Sequence, residues 1–295
     1  MELIALRTFQ AVVDEGGVLA ASRKLNTVQS NVTGRIQRLE DELGTPLFFR
    51  NGRGLELAPS GRVLLDYARR LLQLERQTAA ALRQVGASVG ELRIGSTETF
   101  AFMYLPAALL ALRRKHPGLT LRVDTDTGSA LVEKVLAHGI DGALASGPVS
   151  HPDLAFEELA VEELVQVSAR GTDPVQLPAI LFRDGCAYRA RALGWQRAMG
   201  HAVADVMEFG TLDGILGCVS AGLGWTLLPR RVIALSPYGS GLAVERIPAD
   251  IGRVPTGLIR LRSGPTLPAL DTLAGAIREA VKAPRRKPAA HRRTR

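Results

Sequence analysis

Cysteine is nearly absent from this chain of 295 residues, which holds only Cys186 and Cys218. Two isolated thiols make neither a disulfide framework nor the paired spacing of a zinc site. Long apolar runs are missing too, and none reaches the roughly 20 residues a membrane helix needs. The start, Met1-Glu2-Leu3-Ile4-Ala5-Leu6-Arg7, lacks the basic opening and apolar stretch of a secretory signal. A cytoplasmic protein with no membrane partner is expected. Catalytic patterns are also lacking: no Gly-Xaa-Ser-Xaa-Gly, no phosphate-binding loop with Lys, no Gly-Xaa-Gly-Xaa-Xaa-Gly opening a helix. His116, His138, His151, His201 and His291 are scattered without metal-ligand spacing. The sequence therefore implies no enzyme, no metal and no cofactor, and a lone Asp or Glu reads as a solvated charge.

What is present is the profile of a globular protein, 46% apolar and 22% charged. The length suits two or three compact domains. The net charge of +8 is uneven, with the basic excess in residues 1–90 and 282–295 and a middle close to neutral. Basic ends suit contact with a polyanion. The final stretch, 284–295, reads as a solvated, disordered tail, and such a tail can still add phosphate affinity.

Leu3, Leu6, Phe9, Val12 and Val13 recur at helical spacing until Gly16-Gly17. A short segment with Val18, Leu19, Ala21 and Leu25 follows. Asn26-Thr27 then offers a turn and an N-cap. A third helix is expected from about Val28 to Leu43, with the stripe Val32, Ile36, Leu39, Leu43, with Glu40-Asp41-Glu42 outside and Gly44 as its stop. Small Ala20, Ala21 and Ser22 permit a close crossing, as in a helix-turn-helix. Gln29, Ser30, Asn31, Thr33 and Arg35 lie near the start of the third helix, off its stripe. Gln and Asn can pair with adenine edges, Ser and Thr with bases or phosphates, and Arg with guanine or phosphate. An ordinary solvated helix face would look the same.

The continuation favours DNA. Leu47 to Leu57 reads as a hairpin turning at Asn51-Gly52, with Arg50 and Arg53 beside the tip, as in a wing lying along phosphates. A long helix begins near Pro59-Ser60 and runs to about Gln84. Leu64, Ala68, Leu71, Glu75, Thr78, Leu82 and Val85 form an interrupted heptad seam suited to pairing two chains, and an amphipathic helix packed on its own domain is the other reading.

Ala20-Ala21-Ser22-Arg23-Lys24-Leu25, the run Gln29 to Gly44 (QSNVTGRIQRLEDELG), Pro46-Leu47-Phe48 and Pro59-Ser60-Gly61 together resemble the LysR-type transcriptional regulators. Two positions depart from the family pattern: Ser30 stands where many members have Pro, and Gly34 where many have a long polar residue. Gly34 removes one possible DNA contact and lowers local helix propensity.

Beyond residue 90, strand and helix alternate, which predicts parallel α/β units. Strands are expected at 91–97, 119–123, 141–145, 164–169, 179–182 and 203–209, and helices at about 100–116, 129–136, 188–199, 211–221 and 268–281. The resemblance implies a two-lobed α/β effector domain like a periplasmic solute-binding protein, and Gly222 to Pro229 matches a frequent family stretch. The expected organisation is a winged helix-turn-helix over 1–58, a dimerising linker helix over 59–90, and an effector domain over 91–283. Its first lobe would take 91–161 and 266–283, its second 162–265.

In open α/β sheets, ligands bind at strand carboxyl ends near helix N-termini, which favour anions. Ser96-Thr97, Ser129, Gly210-Thr211 and the group Cys186, Tyr188, Arg189 occupy such places. Plain N-capping would use the same residues. For Cys186, a cleft position beside Arg189 would lower the thiol pKa, and burial in the core is the other reading. The expected protein is a sequence-specific regulator of double-stranded DNA, a homodimer or homotetramer, modulated by a small polar or anionic effector. A stand-alone solute-binding module and an enzyme on a two-lobed scaffold are the alternatives.

Overall fold

The computed structural model describes residues 1–51, 54–84, 90–200, 206–264 and 267–282. Arg53, Val85 and the basic tail lie outside the described residues, as does the side chain of Arg50. The chain forms two compact units, Met1–Ala87 with Ala137–Gly139, and Ser88–Leu136 with Ile140–Arg295. Among the described residues, no helix is long and apolar enough to cross a membrane.

The first unit opens with α1 (Leu3–Asp14), α2 (Val18–Lys24) and α3 (Gln29–Leu43). Leu6, Phe9 and Val12 of α1, Ala21 of α2, and Val32, Ile36 and Leu39 of α3 close one core. The zero-exposure Ala21 lets the helices cross closely. The turn between α2 and α3 is set by Asn26 at φ 49° and by a bond from the Thr27 N–H to the Ser22 carbonyl, 2.9 Å. The N-cap of α3 is Val28, and Thr27 instead accepts a bond from Asn31 Nδ2 at 3.1 Å. Gly44 ends α3 in the left-handed region, as its sequence position implies. Glu40 is not on the outer side: its Oε1 accepts the N–H groups of Leu47 and Phe48, at 2.7 and 3.2 Å, and so fixes the start of the hairpin.

That hairpin is β1 (Phe48–Asn51) against β2 (Gly54–Leu57), antiparallel with Phe48 opposite Leu57. The helix α4 (Pro59–Gln84) follows directly. Its Pro-Ser-Gly opening has a mechanical reason. Ser60 Oγ donates to the Pro46 carbonyl, and a Cβ on Gly61 would stand 2.3 Å from the Leu47 carbonyl oxygen. Part of the seam expected on α4 faces the unit's own core instead. Ala68 and Leu72 are buried in the core of their own unit, with Leu64 packed against it. Among the described side chains of α4, the exposed large apolar ones are Val63 (61%), Tyr67 (57%), Leu71 (38%) and Leu74 (59%).

The second unit begins with β3 (Gly90–Ser96), α5 (Glu98–Lys115), β4 (Leu119–Thr125), α6 (Gly128–Leu136) and β5 (Gly142–Ser146). Here β4, β3 and β5 are parallel, as alternation predicts. The rest is not. The strand β6 (Leu154–Ala169) has 16 residues and serves both lobes. Then come β7 (Ala179–Phe182), α7 (Ala187–Ala198), β8 (Val206–Phe209), α8 (Leu212–Ser220), β9 (Thr226–Pro229), α9 (Arg230–Leu235), β10 (Leu242–Arg246), α10 (Ala249–Gly252), β11 (Arg253–Leu261) and α11 (Pro268–Lys282). The order β10-β6-β11-β5-β3-β4 is mixed: β11 is antiparallel to β5 and β6, and β6 is antiparallel to β9 and β10. Residues 253–261, expected in the second lobe, therefore belong to the first lobe's sheet. The chain returns there by a strand, and α11 then packs on α5. The pair β7–β8 is parallel and joins the neighbourhood of β9 through the Ile180 N–H to the Trp225 carbonyl, 2.7 Å.

Candidate effector cleft and DNA-reading helix

On α3, Gln29, Ser30, Asn31 and Thr33 are exposed along the opening turns. Gln37, one turn beyond Thr33 and also exposed, extends that face, and the sequence reading missed it. Arg35 is half-buried, its Nη1 3.5 Å from Thr8 Oγ1, so it leans on α1 rather than standing free. Among the described residues Gly34 has no atom within 4 Å of where a Cβ would stand.

In the second unit the loops after β3, β4 and β5 face those after β7 and β8. Between them lies a cleft of about 610 Å³ including its open mouth. Thr97, Glu98 and Thr99 start α5, Thr127 and Gly128 start α6, and Cys186, Ala187 and Tyr188 start α7; all line it. Helix starts carry unsatisfied N–H groups and the positive end of the dipole. Tyr188 is buried at the back, bonded to Ser146 and Thr99. Burial, and the nearby Glu162, push its phenol well above the ordinary value despite those two bonds.

Of the residues singled out from sequence, Thr97, Cys186, Tyr188 and Gly210 line the cleft. The others do not line it. Ser96 is fully buried, its Oγ donating to the Thr97 carbonyl at 3.0 Å. Thr211 caps α8, accepting the Gly214 N–H at 3.3 Å. Arg189 Nη1 donates to the Phe182 carbonyl and to Glu208, both at 2.9 Å. Ser129 meets Thr127 Oγ1 at 3.4 Å.

The expected lowering of the Cys186 thiol pKa is reversed. Burial pushes it up, and the N–H groups of Arg189 and Tyr188 with the Arg189 charge offset this only in part. Cys218 packs against a different core cluster from Cys186.

The sequence reading missed Glu98, Thr99, Asp126, Thr127, Ser146 and Arg183. Asp126 Oδ1 accepts Arg183 Nη2 at 2.9 Å, bridging the lobes, and the Thr127 N–H at 2.8 Å; Oδ2 meets Lys134 Nζ at 3.1 Å. Burial alone would raise the Asp126 pKa, but that N–H and the two cations outweigh it and hold the carboxyl below its ordinary value. A backbone bond also crosses the lobes, from the Ser129 N–H to the Gly185 carbonyl at 3.3 Å. Gly185 has φ +85°, and a Cβ there would stand 2.1 Å from Ser129 Oγ. Beneath Tyr188 lies Glu162, only 5% exposed, which accepts the Tyr104 hydroxyl; Arg231 stacks 4.8 Å from the centre of the Tyr104 ring. Glu162 is thus a buried carboxyl where the sequence suggested a solvated one. Among the described residues, no group of His, Cys, Asp and Glu is arranged to hold a metal ion.

A winged helix-turn-helix followed by a two-lobed α/β domain with a cleft between its lobes defines a ligand-responsive DNA-binding protein. Residues 3–62 match the profile described as "Bacterial regulatory helix-turn-helix protein, lysR family", and residues 86–282 match the "LysR substrate binding domain". The chain belongs to the LysR family of DNA-binding transcriptional regulators, with an effector-binding domain. It is 39% identical to the uncharacterized HTH-type transcriptional regulator YusT of Bacillus subtilis (strain 168), over 88% of this chain and 89% of that one. It is 36% identical to the HTH-type transcriptional regulator GltR of the same organism, over 95% and 97%. A full-length OxyR variant from Pseudomonas aeruginosa shares the fold with a TM-score of 0.72 at 20% identity, over 94% of this chain and 95% of that one. Full-length CbnR complexed with its target DNA gives 0.65 at 24%, over 95% and 100%.

Proposed function

We propose that this regulator reads an operator with the exposed start of α3 and answers to a small polar or anionic effector held in the interlobe cleft. The observation that carries this reading is the convergence of the starts of α5, α6 and α7, with the hydroxyls of Thr97, Thr99, Ser146 and Tyr188, on one concave site. Gln29, Ser30, Asn31 and Thr33 contact bases or phosphates, and Arg50 and Arg53 of the wing hold phosphates. The copies associate as a homodimer or homotetramer through the apolar residues exposed on α4. The protein works in the cytoplasm and is not an enzyme; the family's regulatory character supports both statements.

A gel shift on the promoter DNA beside its own gene tests the first half. Gln29→Ala should weaken the cognate complex by about 1–3 kcal/mol and relax base preference at one position, whereas an unchanged preference would remove Gln29 from the base-reading set. Alkylation tests the second half. A metabolite that raises the Tm should shield Cys186 from a thiol reagent and leave Cys218 unaffected; a stabilising metabolite that shields neither binds outside the cleft.

A further inference from the structure

We infer that the effector is a zwitterion, an α-amino acid or a close analogue, rather than a simple carboxylate; this rests on the cleft being the effector site. Charge is arranged unequally on the two walls of the cleft. The first lobe contributes two carboxylates, Glu98 at the start of α5 and Asp126 after β4. The second lobe contributes one guanidinium, Arg183, just past β7. Asp126 is satisfied twice over, by Arg183 at 2.9 Å and by Lys134 at 3.1 Å. Glu98 is half-buried, joins no ion pair among the described residues, and stands between the cleft and a smaller hollow beside Phe102 and Leu212.

A purely anionic ligand entering this site would stand beside two carboxylates with one guanidinium to receive it, and like charges in a partly desolvated cleft repel. A ligand with an ammonium next to its carboxylate meets every group. Its carboxylate takes Arg183 and lies toward the positive ends of the helix dipoles of α5, α6 and α7. Its ammonium lies toward Glu98 and Asp126, and Asp126 keeps Lys134 when Arg183 turns to the ligand. The exchange leaves no buried charge without a partner, the condition for a tight polar site. The Phe182 ring and Ala187 give the rest of the ligand an apolar wall. Gly185 is pressed against Thr127 and Ser129 at one edge, which limits the length of what fits.

The test uses the full-length protein and a matched panel: the coded α-amino acids, their des-amino carboxylic acids and the corresponding amines. Affinities are measured by calorimetry after a thermal-shift screen. At least one amino acid should bind, with its des-amino acid and its amine each about tenfold weaker or more. Glu98→Gln should lower the amino-acid affinity about tenfold and leave that of the des-amino acid unchanged or improved. Glu98→Asp, which keeps the charge, should recover part of the loss. The inference is overturned if des-amino acids bind as well as amino acids, if Glu98→Gln leaves their ratio unchanged, or if no amino acid binds. Protection of Cys186 separates the two readings. A des-amino acid that shields Cys186 while no amino acid does leaves the cleft as the effector site and removes the zwitterion. An amino acid that binds without shielding Cys186 removes both.

Discussion

At the scale of single residues, the most consequential side chain is a carboxylate that no catalytic or ligand role claims. Glu162 sits on β6 where the strand passes from pairing with β11 to pairing with β9. Burial raises its pKa, while the Tyr104 hydroxyl and the Arg231 charge pull it back only in part. A carboxyl raised in the folded state binds its proton more tightly there than in the unfolded chain. Its charge therefore costs stability above the folded pKa, and that cost is relieved as pH falls toward the unfolded value of about 4.3. Glu162→Gln removes this dependence while still accepting the Tyr104 hydroxyl. The stability of wild type relative to Glu162→Gln should rise as pH is lowered from neutral, read from urea unfolding across pH. Glu162→Leu should lie about 1–3 kcal/mol below Glu162→Gln at all pH values, because it leaves the Tyr104 hydroxyl without an acceptor. A parallel pH profile for wild type and Glu162→Gln would mean the carboxyl titrates as though exposed.

At the scale of elements, α4 shows how a heptad spacing read from sequence leaves open which residues face the unit's own core. Its apolar residues form two adjacent stripes, and helical steps of three or four residues fit both. The core of the first unit takes Ala68 and Leu72, so the stripe left for another copy is Val63, Tyr67, Leu71 and Leu74. Leu74→Glu puts a charge on a position 59% exposed in one chain, so it should leave monomer folding nearly untouched and break the pairing. Light scattering and circular dichroism check this together: a folded monomer is expected, and a folded dimer would move association to another face. Leu72→Glu, on the other stripe, should unfold the unit. The same contrast explains what was legible elsewhere. The three N-terminal helices and the hairpin could be read because their signals are local: period, turn residues and a glycine stop. The antiparallel part of the effector domain could not, because β6 carries Glu157, Glu158, Glu162 and Glu163 through a strand that two lobes share. Its partners β10 and β11 arrive some eighty residues later. The cleft was half legible for the same reason. Helix starts are marked in sequence, whereas Asp126 and Arg183 meet across 57 positions.

At the scale of the whole molecule, the two units have separate cores, and binding to one stabilises that one. Leu6, Phe9, Val32, Leu39 and Leu72 close the first, and among the described residues its buried apolar members all precede residue 90. Leu92, Phe100, Ile215, Leu258 and Ile277 share a core in the second. Calorimetry on the full-length protein should therefore resolve two unfolding transitions. Leu39→Ala, a cavity in the first core, should cost about 2–5 kcal/mol there and lower one transition alone, which assigns it to the DNA-binding unit. Operator DNA should raise that same transition. Effector at a hundred times its Kd adds about 2.7 kcal/mol to the state that binds it, and it should raise the other. A single transition moved equally by Leu39→Ala, by DNA and by effector would show that the units unfold as one. The path from cleft to DNA would then be sought in a shared cooperative structure rather than in two bodies that respond separately.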